Sequence, residues 1–313
     1  MTRAFASEES SLPGLLAFTR AFEHGSFTRA AKSLGLTQAA ISRAVQRLEE
    51  SLGVMLFRRS TRALQPTAEG RAYYTKCRAA LLLLEEARHD VQSGASEVRG
   101  LVRLSLPITL GLHVLLPRLE ALREKLPEVE LEIHVTNQNV DFVHDGADLA
   151  VRMGTLKDAS LVARKLGDFS VGVFASKEYL AARGPLKRLD DLLAHDCMTF
   201  IMPSTGRVLP WIFAAPNAEV TPRSSLRCVE DPRAGVVLAK AGLGLFQTYH
   251  FMVQDELRSG ALVEVLKARS GRTRPFSLIR PRTAVTSRAV RAVAEMIIEA
   301  ARPELPERAR VGR

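Results

Sequence analysis

The sequence predicts a helical head bearing a winged helix-turn-helix, then one long helix, then a larger α/β region. Three observations predict it. Residues 26–52, SFTRAAKSLGLTQAAISRAVQRLEESL, contain two short amphipathic helices joined by a glycine turn. Tyr73, Cys77, Ala80, Leu84, Ala87 and Val91 recur alternately four and three residues apart, the pattern of a helix that packs on a copy of itself, favoured over a core helix of one globular domain by its place between the head and the SGAS break. From Leu101 onward, short apolar runs alternate with helical patterns, which is the signature of α/β architecture.

Leu12 to His24 forms the first helix, with Leu15, Leu16, Phe18, Ala21 and Phe22 for packing and Gly25 as its stop. Ser26 caps the next, whose apolar positions are Phe27, Ala30, Ala31 and Leu34, and Gly35 ends it where a left-handed residue is needed. Thr37 caps the second helix of the motif, and Leu36 with Ile41 occupy the positions of a hydrophobic staple. In that helix Ile41, Ala44, Val45, Leu48 and Leu52 share one face, leaving Gln38, Ala39, Ser42, Arg43 and Gln46 on the other. These side chains suit base edges in a major groove: Gln pairs with adenine, Arg with guanine, Ala lies against a thymine methyl, and Ser takes either role. A plain surface helix of a bundle carries the same periodicity, so the motif alone leaves both readings open.

The residues beyond that helix favour DNA. The run EESLGVMLFRRSTR closes on Arg58, Arg59 and Arg62, as the start of a two-stranded wing whose guanidinium groups meet phosphates. Between positions 29 and 62, Arg29, Lys32, Arg43, Arg47, Arg58, Arg59 and Arg62 face only Glu49 and Glu50. The whole chain of 313 residues has formal net charge +10, which favours a polyanionic partner, and the clustering of bases in the head selects double-stranded DNA over a membrane surface. At this length more than one core fits, and 46% hydrophobic with 25% charged residues is ordinary globular composition.

The run from Ala17 to Gly70, AFTRAFEHGSFTRAAKSLGLTQAAISRAVQRLEESLGVMLFRRSTRALQPTAEG, resembles the N-terminal winged helix-turn-helix of LysR-type transcriptional regulators, an ordered pattern of about fifty positions. Ser26, Arg29, Thr37, Gln38, Ala39, Ser42, Arg43, Gln46, Arg47, Arg58, Arg59 and Arg62 are the candidate DNA-binding residues. Weaker resemblance continues through DGADLAVRMG (145–154), RKLGDFSVGVFASKEYL (164–180) and AGLGLFQTYHF (241–251), with Thr248 standing where many relatives have proline. The expected division is a DNA-binding head over 1–66, a dimerising linker helix and hinge over 67–95, and an effector-binding region over 96–313. The resemblance implies that this last region is two α/β subdomains like those of periplasmic solute-binding proteins, here 101–172 with 272–304, and 173–271.

Strand-like runs are LVRLSL, LEIHV, DLAVRM, SVGVFA, CMTFI, LRCV, LGLF, LVEVL and FSLI, with helices such as HVLLPRLEALREKL and SRAVRAVAEMIIEAA between them. A ligand between two such subdomains lies at strand carboxyl ends, near helix N-termini that favour anions. Ser105, Pro107, Thr109, Arg152, Thr199, Phe200, Ile201, Gln247 and Thr248 are therefore the candidate effector contacts, with capping hydroxyls at Ser105, Thr109 and Thr199 and with Arg152 favouring a small organic anion. Each taken singly also reads as an ordinary cap or exposed strand end.

No catalytic or cofactor motif competes: GxSxG, HExxH and a P-loop are absent. No enzyme activity, cofactor or metal is expected, and Asp141, His144, Asp145 and Asp148 read as a solvated helix end rather than a metal cluster. Cys77, Cys197 and Cys228 lack CxxC spacing and read as buried reduced thiols, against the rarer alternative of a Cys197–Cys228 redox switch. Residues 1–11 lack a secretory core and no apolar run reaches spanning length, so the expected place is the cytoplasm. The expectation is a ligand-responsive regulator, dimeric or tetrameric, reading a partly palindromic site, with RNA polymerase as a candidate partner. Its rivals are an architectural DNA binder whose α/β region only oligomerises and a solute-binding α/β protein.

Overall fold

The computed structural model describes residues 11–59, 64–93, 98–142, 145–154, 158–214, 219–282 and 286–302. These divide into two compact units, one drawn mainly from residues 11–93 and the other mainly from 98–302. Each has its own core.

The first unit is built from α1 (Ser11–His24), α2 (Phe27–Leu34), α3 (Gln38–Leu52), β1 (Phe57–Arg59), β2 (Leu64–Pro66) and α4 (Ala68–Ser93). Its core gathers Phe18, Phe22, Ile41, Val45, Leu48, Leu56, Phe57, Tyr74 and Cys77, with Phe22 stacked on Tyr74 at 3.9 Å between ring centres. The caps form where the sequence places them: Ser26 Oγ accepts from Arg29 N at 3.4 Å and Thr37 Oγ1 from Ala40 N at 3.2 Å. Gly35 stands at φ 66°, a left-handed angle that costs a Cβ-bearing residue more.

Two expectations for α3 fail. Leu36 is 54% exposed, so the staple contributes little burial although Ile41 is fully buried. Leu52 is exposed too, and Glu49 takes the buried place next to Leu48. Its carboxylate accepts from the backbone N–H groups of Leu56 at 2.7 Å and Phe57 at 3.0 Å, tying the end of α3 to the first wing strand. Glu49 therefore does not offset the positive surface.

The seam of α4 is split. Tyr73 and Cys77 face the head core, while Ala80, Leu84 and Ala87 are exposed, Leu84 at 56%; the Val91 side chain lies outside the described residues.

The second unit contains β3 (Gly100–Leu106), α5 (Ile108–Leu110), α6 (Glu120–Lys125), β4 (Val129–Val135), β5 (Leu149–Met153), β6 (Leu161–Ala175), α7 (Lys177–Arg183), β7 (Cys197–Met202), β8 (Arg207–Val208), β9 (Trp211–Ile212), β10 (Glu219–Val220), β11 (Ser224–Val229), α8 (Arg233–Lys240), β12 (Leu245–Tyr249), α9 (Gln254–Ser259), β13 (Val263–Val265), β14 (Thr273–Pro281) and α10 (Arg288–Ala300). The strand path runs β11-β7-β12-β6-β14-β5-β3-β4. Strand β3 is parallel to β4 and β5, and β7 is parallel to β11 and β12. Strands β6 and β14 join the two groups: they pair antiparallel from Leu161 with Pro281 to Ser170 with Thr273, and β6 then pairs with β12 and β13 from Val171 onward.

Two elements differ from the sequence reading. The helix expected over 113–126 begins at Ile108 and is broken, through a π turn at Gly111–Leu115 and a 3-10 turn at Leu116–Arg118, before α6. Pro117 has no N–H to give to a continuous helix. Strand β6 also starts nine residues earlier than SVGVFA, because its partly buried first half, LVARKLGDF, carries charges that mask the alternation.

Candidate functional site

The exposed side of α3 presents Gln38, Ala39, Arg43, Gln46 and Arg47, with Ser42 half-buried among them. Spacing of three and four places Ala39, Ser42, Arg43 and Gln46 on one stripe. Thr28 Oγ1 donates to Gln38 Oε1 at 3.2 Å, which orients the amide, and Gln46 Nε2 donates to Glu50 Oε1 at 3.0 Å. Thr37 is exposed and Ser26 half-buried, both as caps; Arg29 is exposed on α2, and Arg58 is exposed on β1, which pairs antiparallel with β2 through Arg58 and Gln65. Arg62 lies outside the described residues, as does the side chain of Arg59.

The wing's base is closed by Thr67, whose Oγ1 accepts from Gly70 N at 2.9 Å and donates to Met55 O at 2.8 Å. A Cβ on Gly70 would meet Leu56 O at 2.1 Å, so only glycine lets α4 approach the strand this closely.

In the second unit a cavity of about 620 Å³ opens at the carboxyl ends of the parallel strands. Pro107 follows β3, Asn137 follows β4, Met153 ends β5, Met202 ends β7 and Tyr249 ends β12, and all five line it. Of the expected contacts, Pro107, Thr109, Arg152, Phe200, Gln247 and Thr248 line the cavity, whereas Ser105, Thr199 and Ile201 do not.

The reasons are local. Ser105 Oγ accepts from Arg152 Nη2 at 2.7 Å, and the same guanidinium donates to Val151 O at 2.7 Å and Ser105 O at 3.3 Å, so it clamps the ends of β3 and β5. Thr199 is buried inside the sheet, its hydroxyl without a partner among the described residues. Neither Ser105 nor Thr109 caps α5. That cap is Asn137, whose Oδ1 accepts from Ile108 N at 3.1 Å while its Nδ2 donates to Glu230 O at 2.6 Å, beyond the end of β11. Gln247 makes a two-way bond with the backbone of Ile212, 2.9 Å each way, and Thr248 Oγ1 donates to Met252 Sδ at 3.0 Å.

Sequence reasoning missed Asn137, Met202, Tyr249 and Arg274. The strand-end rule would have reached the first three, since each ends or follows a run already read as strand. Arg274 lies inside β14 and carries no local signal; its guanidinium donates to Pro210 O, and burial lowers its proton affinity below the usual arginine range. Burial also pushes the Tyr249 phenol up; its hydroxyl donates to Met153 Sδ at 2.9 Å. Asp158 is held low by the hydroxyl and backbone N–H of Ser160.

A helix-turn-helix with a wing and an α/β unit with a strand-end cavity thus occur in one chain. Residues 12–71 match the bacterial regulatory helix-turn-helix family described as lysR, and residues 95–302 match the LysR substrate binding domain. The chain belongs to the LysR family of transcriptional regulators. A relative described as an HTH-type transcriptional repressor of Pseudomonas aeruginosa strain UCBPP-PA14 is 31% identical over 297 residues, 94% of each chain. The regulator CrgA of Neisseria meningitidis serogroup C is 31% identical over 267 residues, 85% of this chain and 88% of its own. A solved structure of CrgA covers 93% of this chain and 98% of its own at 27% identity, with a TM-score of 0.58. ArgP from Mycobacterium tuberculosis, 18% identical, has the same fold with a TM-score of 0.69 over 92% of this chain and 96% of its own.

This LysR-type regulator keeps its three cysteines buried and free. Burial raises the thiol pKa of Cys77 to about 11 and of Cys197 to about 12, and pushes Cys228 upward. Among the described residues no cluster of metal-ligating side chains occurs and no helix is long and apolar enough to cross a membrane; His144 of the acidic group lies outside them.

Proposed function

We propose that this LysR-type regulator binds a partly palindromic double-stranded DNA site as a dimer or tetramer in the cytoplasm, and that a small organic anion in the strand-end cavity changes that binding. Gln38, Ala39, Ser42, Arg43 and Gln46 read base edges. Arg29, Arg47, Arg58, Arg59 and Arg62 meet phosphates, and Ser26 and Thr37 present capped helix ends to the backbone. Pro107, Thr109, Phe200, Gln247 and Thr248 contact the effector, and Arg152 holds the cavity wall in shape. RNA polymerase is the protein partner through which promoter output changes, and the chain itself performs no catalysis.

The observation that carries this reading is the cavity itself, about 620 Å³ at the carboxyl ends of strands from both strand groups. Ligand sites in open α/β sheets lie at such ends, and this volume suits a small molecule. DNA-protection mapping on the region upstream of the gene, with and without a panel of carboxylates, tests it. Two protected half-sites whose pattern changes with a carboxylate are expected. Protection indifferent to every small molecule tried would favour an architectural DNA binder.

A further inference from the structure

Resting on the proposal that the cavity holds the effector, we infer that Arg274 anchors the effector's charge and that the effector is a monoanion on a largely apolar body, such as an aromatic or medium-chain carboxylate. Two guanidinium groups reach the cavity, and they are differently occupied. Arg152 is spent on Ser105 and Val151, acceptors that fix it to the strand ends. Arg274 makes one hydrogen bond among the described residues, to the Pro210 carbonyl, and feels the Glu219 carboxylate through space without a salt bridge to it. A guanidinium carries five N–H donors in a planar fork matched to a carboxylate, and a part-buried one is ordinarily paired. Here the missing partner faces a ligand-sized cavity.

The walls set the rest of the ligand. Phe246, Phe276, Val171 and Tyr249 line the same cavity, with the rings of Tyr249 and Phe276 5.4 Å apart, apolar surface that suits a carbon skeleton. Tyr249 gives its hydroxyl to a thioether sulfur, a weak acceptor that a carboxylate oxygen would replace with advantage. Asp158, the one acid on the cavity wall among the described residues, would repel a second carboxylate. The one guanidinium fork left with uncommitted donors, on an apolar side of the chamber, thus holds one carboxylate.

Titration calorimetry on the full chain at neutral pH tests this with phenylacetate and octanoate against phenylacetamide, octanamide and tricarballylate. The two monocarboxylates are expected to bind, with their amides and the trianion weaker by about thirtyfold or more, the usual consequence of leaving one partner of a buried charge pair alone. Arg274→Met should bring the acids down to the level of their amides, and Arg274→Lys should keep part of the difference. The melting temperature of ligand-free Arg274→Met should stay close to that of the wild type, since the side chain gives up one hydrogen bond to a carbonyl and no salt bridge, and this separates lost recognition from lost folding. The inference is overturned by failure of both acids to bind, by equal binding of acids and amides, or by wild-type affinity in Arg274→Met. If acids and amides bind equally and Phe200→Trp, which narrows the cavity, abolishes both, the charge assignment falls while the cavity reading stands. If a carboxylate alters DNA protection and neither Arg274→Met nor Phe200→Trp affects that response, the cavity reading falls as well.

Discussion

Glu49 shows how a residue's role departs from its charge. On the sequence it counts against the basic surface, yet its carboxylate is 4% exposed and bonded to two backbone N–H groups of the wing. Glu49→Ala leaves both donors buried without an acceptor, and should lower the stability of the head by about 1–3 kcal/mol, with Glu49→Gln losing less. Chemical denaturation followed by circular dichroism reads this, and an unchanged midpoint in Glu49→Ala would remove the carboxylate from the wing's support. Thr199→Val makes the opposite case. It removes a buried hydroxyl without a partner, so stability should hold or rise, and ligand response should not change because Thr199 does not line the cavity. The thiols give a pH prediction. A pKa raised to about 11 at Cys77 and about 12 at Cys197 leaves the reactive thiolate scarce until pH approaches those values. Alkylation of the native protein should therefore stay slow from neutral pH to about pH 9, and all three cysteines should react once the chain is unfolded. At this scale the caps of Ser26 and Thr37 were legible because they depend on neighbours within three residues. The places of Glu49 and Arg274 were not, since burial and partners from distant strands decide them.

At the scale of elements, α4 buries only the first part of its apolar seam in the head. Tyr73 and Cys77 pack on the head core and Leu84 is exposed, so the later turn is the face we propose for a partner helix. Leu84→Glu should accordingly shift light-scattering mass toward monomer and weaken operator binding while the α/β unit stays folded; a variant that remains dimeric would move the interface elsewhere. The proposed roles of the wing and of α3 separate by measurement. Neutralising the exposed Arg58 should weaken binding to operator and random DNA alike and reduce the salt slope by about one unit, whereas Arg43→Ala should relax preference at one base pair. A salt slope unchanged in Arg58→Ala would take that arginine off the phosphates. Strands of the α/β unit were legible from their apolar runs. The broken stretch from Ile108 to Lys125 was not, because LLPRLEALREKL keeps helical periodicity through a proline, and the π turn before it has no pattern of its own.

For the molecule as a whole, the two matched domains make this chain a reader of DNA coupled to a receiver of small molecules. Whatever the coupling, it is thermodynamically reciprocal: the factor by which a saturating ligand changes operator affinity must equal the factor by which operator changes ligand affinity. Measuring both on one preparation tests whether the two events belong to one equilibrium, and unequal factors would mean that a further species, such as a change of oligomer, intervenes. The general location of the cavity was legible from the strand-end rule. Its composition was not, because the residues that line it come from opposite halves of a chain that β6 and β14 fold back on itself.

Asn137 turns that geometry into something observable. Its side chain accepts the Ile108 amide from one strand group and gives its own amide to the Glu230 carbonyl at the end of the other. Any widening between those ends has to release one of the two bonds. The solvent-exchange rate of a single deuterium label on Ile108 N is then a gauge of how often the chamber gapes, slow while the asparagine holds and faster in Asn137→Ala, and it can be read without knowing what the chamber holds.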